Sequence, residues 1–199
     1  MTGIQNRKTI SKIFYEIKKL SVEDSSLIHK FHCADSYPEK GLEDFLKNDA
    51  FEEMENGDGT TYLIINKAEN DLFGFFTIEA SALPYFYNDP DDDNYSHILC
   101  GISAIKLSCF AVDKQYQDVF YQDKPIAAWL IEAIISMIYD MSTSSLGAKA
   151  IYLRPLPSAK KFYLQNHFSL NDFYQTFASA DDDLEVMLIM LHRVCGITE

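Results

Sequence analysis

The residues Gln122-Asp123-Lys124-Pro125-Ile126-Ala127-Ala128 run straight into a stretch of helical apolar spacing, and a turn that opens a buried helix can cradle a phosphate. Amides in a helix's first turn have no partner within the helix, and the helix dipole adds a field that favours an anion. Such turns usually carry glycine, which permits positive φ and close approach of the backbone to a ligand. Here Pro125 stands in that place. Proline fixes φ at about −65° and removes one donor, yet it suits the first position of a helix. The donors that remain are the amides of Asp123, Lys124, Ile126, Ala127 and Ala128, with Lys124 adding a cation of the right sign. A second reading stays open, in which Pro125 only begins an ordinary core helix.

Other residues invite chemistry less strongly. Cys33, Cys100, Cys109 and Cys195 are scattered without a CxxC pair, and the five histidines are scattered too. No metal site is expected from them, and the cysteines read as reduced thiols of a cytoplasmic protein. Cys109 lies in an apolar strand, where a lone cysteine packs as a small hydrophobe. The acidic loop Asn88–Asn94 matches no calcium-loop spacing and reads as solvated. The chain as a whole is acidic, with 17 Lys and Arg against 30 Asp and Glu and a net charge of −13. Phosphate backbones are gripped by Lys and Arg displacing counterions, so nucleic acid and acidic membrane surfaces are unexpected partners. Amines and other cations are what such a field draws.

The elements that must position these groups follow from periodicity. With 199 residues, 47% of them hydrophobic, and 12 Tyr and 14 Phe, the chain reads as one core-forming domain over residues 1–199, without linker or repeat. No run reaches the ~18 apolar residues of a spanning helix, and the N-terminus lacks the apolar stretch of a secretory signal. Ile13–Ser21 alternates as a strand, and Asp24 or Ser25 can cap a short helix after it. Gly41–Gly57 has helical spacing that Gly57 can end. Thr60–Ile65 and Leu72–Ile78 form a hairpin turning at Asn70 and Asp71. Ala104–Asp113 is apolar nearly throughout and so central in a sheet. Ile126, Leu130, Ala133, Ile134, Met137 and Ile138 share one helical face. A strand over Ala148–Leu156, a helix capped by Ser158 and a last strand over Asp183–Leu191 complete the order. That order predicts an α/β domain, a mixed sheet with helices on both faces.

With the elements so arranged, three stretches resemble the GNAT superfamily of acyl-CoA N-acyltransferases. Leu107–Asp113, "LSCFAVD", is similar to the family's central strand and its apolar-Ala-Val-Asp ending. Gln122–Ala127 resembles the cofactor loop, which reads Gln or Arg, two residues, Gly, one residue, then Gly or Ala; Pro125 replaces its first glycine. Phe162–Phe168, "FYLQNHF", resembles Phe-Tyr-x-x-x-Gly-Phe with His167 in the glycine's place. "FHCADSYPEKGLEDFLKNDA", Phe31–Ala50, is similar to the toxin-type subgroup. The resemblance spans about residues 12 to 192. The segment between Val112 and Gln122 is longer than the family's, so Gln117 competes for the loop's first position.

The resemblance implies an acyl-CoA N-acyltransferase fold, a mixed and mainly antiparallel sheet with helices on both faces. It also implies acetyl-CoA as co-substrate, no metal, and direct transfer to a primary amine of a small molecule, protein or peptide. Backbone amides at Phe110, Ala111 and Val112 would hold the pantetheine arm and polarise the acyl carbonyl. Gln122, Asp123, Lys124, Pro125, Ile126, Ala127 and Ala128 would take the pyrophosphate. Tyr163 matches the tyrosine that protonates the departing sulfur, and a phenol of pKa about 10 holds its proton at neutral pH. The amine must lose a proton, and Glu79 at the end of the third strand is the first candidate base, directly or through a water. Asp113 is expected to cap the strand's exit, His167 to serve as a turn residue, and Trp129 to pack on the sheet. The replaced glycines keep open a fold retained for binding or regulation without turnover. A toxin-type acetyltransferase acting on aminoacyl-tRNA is a second rival, against which the acidity speaks, and an unrelated α/β domain is a third. Monomer and homodimer both stay open.

Overall fold

Short β1 (Lys8–Thr9) and β2 (Tyr15–Lys19) open the chain as the structure, a computed structural model, describes it for residues 8–88, 97–170 and 185–191. α1 (Ser25–Lys30) follows a one-turn 3₁₀ helix, Val22–Asp24. Asp24 locks that entry: its carboxylate accepts from the Ser21 amide at 3.0 Å, the Ser21 hydroxyl at 2.9 Å and Lys18 Nζ at 2.7 Å. The stretch expected as one helix ending at Gly57 is two, α2 (Lys40–Asn48) and α3 (Ala50–Asn56), broken at Asp49. Gly57 does end it, at φ 82°, where a side chain would be strained.

The predicted hairpin forms between β3 (Thr60–Asn66) and β4 (Asp71–Asn88), with Asn70 left-handed at φ 54°. β5 (His97–Val112) is the expected central strand, longer at its start. The interval to Gln122, expected only as a long connection, holds α4 (Lys114–Gln117) and β6 (Val119–Tyr121). β7 (Lys124–Pro125) leads into α5 (Ile126–Met141), whose Ile126, Leu130, Ile134 and Ile138 are fully buried. With the turn that continues it to Leu146, α5 has the length and mean hydropathy, 1.3, of a bilayer span, but this buried face marks it as a core helix. β8 (Ala150–Leu153), α6 (Lys160–Gln165), β9 (Ser169–Leu170) and β10 (Met187–Met190) complete the described chain. Ser158 does not cap α6: it sits inside a 3₁₀ turn, Pro157–Ala159, and Ala159 is the N-cap. The acidic loop Asn88–Asn94 lies, beyond Asn88, outside the described residues.

A seven-stranded sheet runs in the order β2-β3-β4-β5-β8-β10-β9, and a three-stranded sheet in the order β1-β6-β7. The pairs β2–β3, β3–β4, β8–β10 and β9–β10 are antiparallel, and β5–β8 is parallel. This is a mixed α/β fold, as expected.

The chain divides into two compact units: Met1–Ile78 with Ser108–Ala133, and Glu79–Leu107 with Ile134–Glu199. In the first, Phe31, Leu46, Leu63, Leu72, Phe75 and Ala111 share a core beneath α1–α3, where Phe31 meets Phe75 edge-on at 5.4 Å. Cys109 packs against this cluster as the small hydrophobe it was read to be. In the second, Leu83, Ala104, Ala150, Val186 and Leu188 form a smaller core.

Candidate functional site

In the first unit the stretch read as a phosphate turn is the tip of a β-hairpin. Tyr121 pairs with Lys124 and Phe120 with Pro125 across the two residues Gln122 and Asp123. Both tip residues are left-handed, at φ 47° and 60°, which is the requirement of a type I′ turn. The positive φ that glycine would supply therefore sits upstream of Pro125. Pro125 closes β7, and α5 begins one residue later, at Ile126. The alternative reading, in which Pro125 begins the helix, therefore misses its start by one residue. The first-turn amides of Ile126, Ala127 and Ala128 have no helical acceptor by geometry.

Lys124 is engaged by its own chain. Its Nζ stands 4.7 Å from the centre of the Trp129 ring and pairs with Glu132. Trp129 in turn donates from Nε1 to the Tyr121 carbonyl at 3.1 Å and meets the Tyr121 ring edge-on at 5.4 Å. β1 supports the hairpin from behind, Lys8 pairing with Val119 and Thr9 with Phe120 in parallel, and the Ile10 amide donates to the Phe120 carbonyl.

The end of β5 is tied down as tightly. The Asp113 amide donates to the Phe73 carbonyl at 2.8 Å, toward β4. The Val112 carbonyl faces the opposite edge and accepts from Gln117 Nε2 at 2.9 Å. Along a strand these directions alternate, so Phe110 shares the edge of Val112 while Ala111 faces β4. Of the three residues expected to hold a pantetheine arm, Phe110 and Val112 thus present their amides to the same side. Gly74 lets the strands close here: a Cβ on it would lie 2.3 Å from the Ala111 carbonyl oxygen. Gln117 also donates to the Cys33 carbonyl at 2.7 Å, so it works as a staple, while Gln122 sits exposed at the hairpin tip. Asp113 caps α4 through the Gln115 amide and accepts from the His32 amide, both at 3.1 Å.

Around His32 lies a cluster that sequence reasoning missed. Its Nδ1 bonds Glu43 at 2.8 Å and its Nε2 bonds Asp35 at 3.1 Å. The Glu43 hydrogen bond, then that of Asp35, raises the imidazole above its ordinary pKa. Burial alone would raise Glu43, but hydrogen bonds from Lys47, His32 and the Cys33 amide outweigh it and hold the carboxyl low. The Cys33 thiol is pushed up to about 11, first by burial and then by the Glu43 charge, and is inert as a nucleophile. Residues spaced as His32, Asp35 and Glu43 give no recognisable motif, so only the fold could gather them.

The second unit holds the two residues assigned to proton transfer. Tyr163 lies on α6, 7% exposed, its ring edge-on to Phe162 at 5.2 Å and to Phe168 at 5.4 Å. Its carbonyl accepts from the amides of Asn166 and Phe168. His167 between them is left-handed at φ 72°, filling as a turn residue the role that glycine usually has. Both carboxylate oxygens of Glu79 accept from Lys106 Nζ, at 3.1 and 2.9 Å. Among the described residues no His, Cys, Asp or Glu side chains gather as a metal site requires.

No family model matches the chain, and no curated protein matches it. Solved structures do match its fold. A tyrosine-to-phenylalanine mutant of the AtaT toxin has a TM-score of 0.69 at 14% identity, over 95% of this chain and 96% of that one. A mutant of KacT gives 0.65 at 15% identity, over 92% and 98%. AtaT complexed with acetyl-methionyl-tRNAfMet gives 0.64 at 16%, over 94% and 100%. The fold is the GNAT fold, and within it the chain is similar to the toxin-type structures, as Phe31–Ala50 suggested. An unrelated α/β domain is thereby set aside.

Proposed function

We propose that this chain is a cytoplasmic, acetyl-CoA-dependent N-acetyltransferase acting on a primary amine. The observation that carries the reading is the likeness, along 93% of the chain, to an AtaTR structure bound with acetyl-CoA. In the reaction the amine nitrogen attacks the thioester carbonyl carbon, the C–S bond breaks, and the thiolate takes the Tyr163 phenol proton. The proton lost by the amine goes to a base. Glu79 remains the candidate, through a water, since Lys106 occupies both its oxygens. The amides of Phe110 and Val112 polarise the carbonyl, and those of Ile126, Ala127 and Ala128 take the pyrophosphate.

A second reading narrows the acceptor to the α-amino group of an aminoacyl-tRNA. Support comes from the likeness to AtaT complexed with acetyl-methionyl-tRNAfMet. The net charge of −13 is a weak argument against it, because a total says nothing of a local face. Lys149, Arg154, Lys160 and Lys161 fall close together in the sequence despite that total. The expectation that nucleic acid is an unlikely partner finds no support.

The test is thiol release from acetyl-CoA on adding simple amines or charged tRNA, with Tyr163→Phe alongside. Acceptor-dependent release by the native chain, lost in the variant, is the expected result. Binding of acetyl-CoA without release to either acceptor would instead put a non-catalytic binding protein first.

A further inference from the structure

The cation beside the phosphate turn already has an anion. Lys124 Nζ is paired with Glu132, a carboxylate two turns into α5, and is held over the Trp129 ring at 4.7 Å. Trp129 is itself fixed by its Nε1 bond to the Tyr121 carbonyl. Three features of one small region therefore aim the ammonium at an internal acceptor rather than into solvent. Lys124 and Glu132 side chains are 31% and 33% exposed, so a ligand phosphate can reach the ammonium and the displaced carboxylate can be solvated.

We propose that Glu132 is an internal competitor for the phosphate groups of the bound co-substrate, and that it sets affinity by holding Lys124 until a phosphate displaces it. This rests on the reading that the first turn of α5 takes the pyrophosphate of acetyl-CoA. No bond is made or broken: one charge pair is exchanged for another, and the carboxylate goes to water. The exchange reduces the net gain from the lysine, because an existing pair is lost as the new one forms. It also makes binding selective for ligands with enough negative charge to win the exchange.

The test uses calorimetric titration of the full chain with acetyl-CoA, inorganic pyrophosphate and pantetheine, the last lacking the pyrophosphate. Glu132→Gln is expected to bind acetyl-CoA about fivefold tighter, with no change for pantetheine. Adding Lys124→Met to that variant is expected to abolish the gain. Trp129, the chain's one tryptophan, reports the exchange directly. Its emission should change as acetyl-CoA or pyrophosphate draws the ammonium off the ring, and should not change in Lys124→Met. If the native chain binds acetyl-CoA and Glu132→Gln binds it no tighter, the inference falls while the functional reading stands. If neither binds acetyl-CoA or pyrophosphate, both fall. Should Glu132→Gln fail to fold, Glu132→Asp, which shortens the reach to Lys124, is expected to move affinity in the same direction.

Discussion

His32 and Glu43 are joined ring to carboxylate, Nδ1 to Oε2 at 2.8 Å, across the turn that leads from α1 to α2. Because His32 is also bonded through its own amide to Asp113 and through its carbonyl to the Lys114 amide, the pair ties the α1–α2 segment to the exit of β5. The folded imidazole has a raised pKa, mainly through Glu43. Its contribution to stability is therefore complete below the ordinary histidine value of 6.5 and is lost as pH rises through the higher folded value. Denaturant midpoints should fall in the native chain as pH rises above the ordinary histidine value of 6.5. His32→Asn should flatten that fall, and a slope unchanged in the variant would show that His32 is not its source.

Tyr116 donates to Asp71, 2.9 and 2.8 Å from its two oxygens, and accepts from Asn66 Nδ2 at 2.8 Å. Burial first, then the Asp71 hydrogen bond, pushes the phenol up to about 12. Tyr116→Phe would strip the buried Asn66 amide of its acceptor and is expected to cost about 1–3 kcal/mol in chemical denaturation. The native chain should lose stability above about pH 10, where tyrosine ionises unfolded but not folded. Tyr116→Phe should lose less over that range.

Gly74→Ala places a methyl group 2.3 Å from the Ala111 carbonyl oxygen, and the next atoms it meets, the Ala111 carbonyl carbon and Val112 Cα at 3.2 Å, are backbone too. The expected loss is about 1–3 kcal/mol of stability. Under the proposed function acetyl-CoA binding weakens as well, since the displaced segment includes Phe110 and Val112. Equal melting temperatures for variant and native chain would contradict this.

Asp123→Gly should have the opposite sign. Asp123 is held at φ 60°, a conformation glycine adopts without the cost an L side chain carries. A gain of about 1 kcal/mol is expected by thermal or denaturant unfolding. A loss would mean the aspartate side chain itself stabilises the turn.

Tyr163→Phe removes a single oxygen from a ring that is buried edge-on to Phe162 and Phe168. Under the proposed function kcat should fall by about 10²-fold or more, with the affinity for acetyl-CoA unchanged. An unchanged kcat would take the proton-transfer role away from this residue.

Much of the scaffold could be read from local patterns. The 60–78 hairpin, the strand ending at Val112 and the buried face of α5 each carry a strong periodic signal, and each is where periodicity placed it. The break at Asp49 was not legible, because apolar spacing continues across it from Leu46 to Ala50. β1, β6 and β7 were hidden for another reason. Each is three residues or fewer, too short for a period, and Gln-Asp is not the Asn-Gly or Asp-Gly pair that announces a two-residue turn. Residue types alone indicated that Lys124 could meet a phosphate. That its partner here is Glu132 depends on hairpin and helix lying together, which no spacing in the sequence encodes.

The pairing of β1 with β6 joins Lys8 and Thr9 to Val119 and Phe120. On the ribosome the first of these strands is made early and must wait for most of the first unit before its partner exists. Contacts so distant along the chain are slow to close. The hairpin that carries Gln122 and Asp123 therefore gains its backing strand late in biogenesis, and a nascent chain stopped short of it has everything from β2 to β5 but no framed turn.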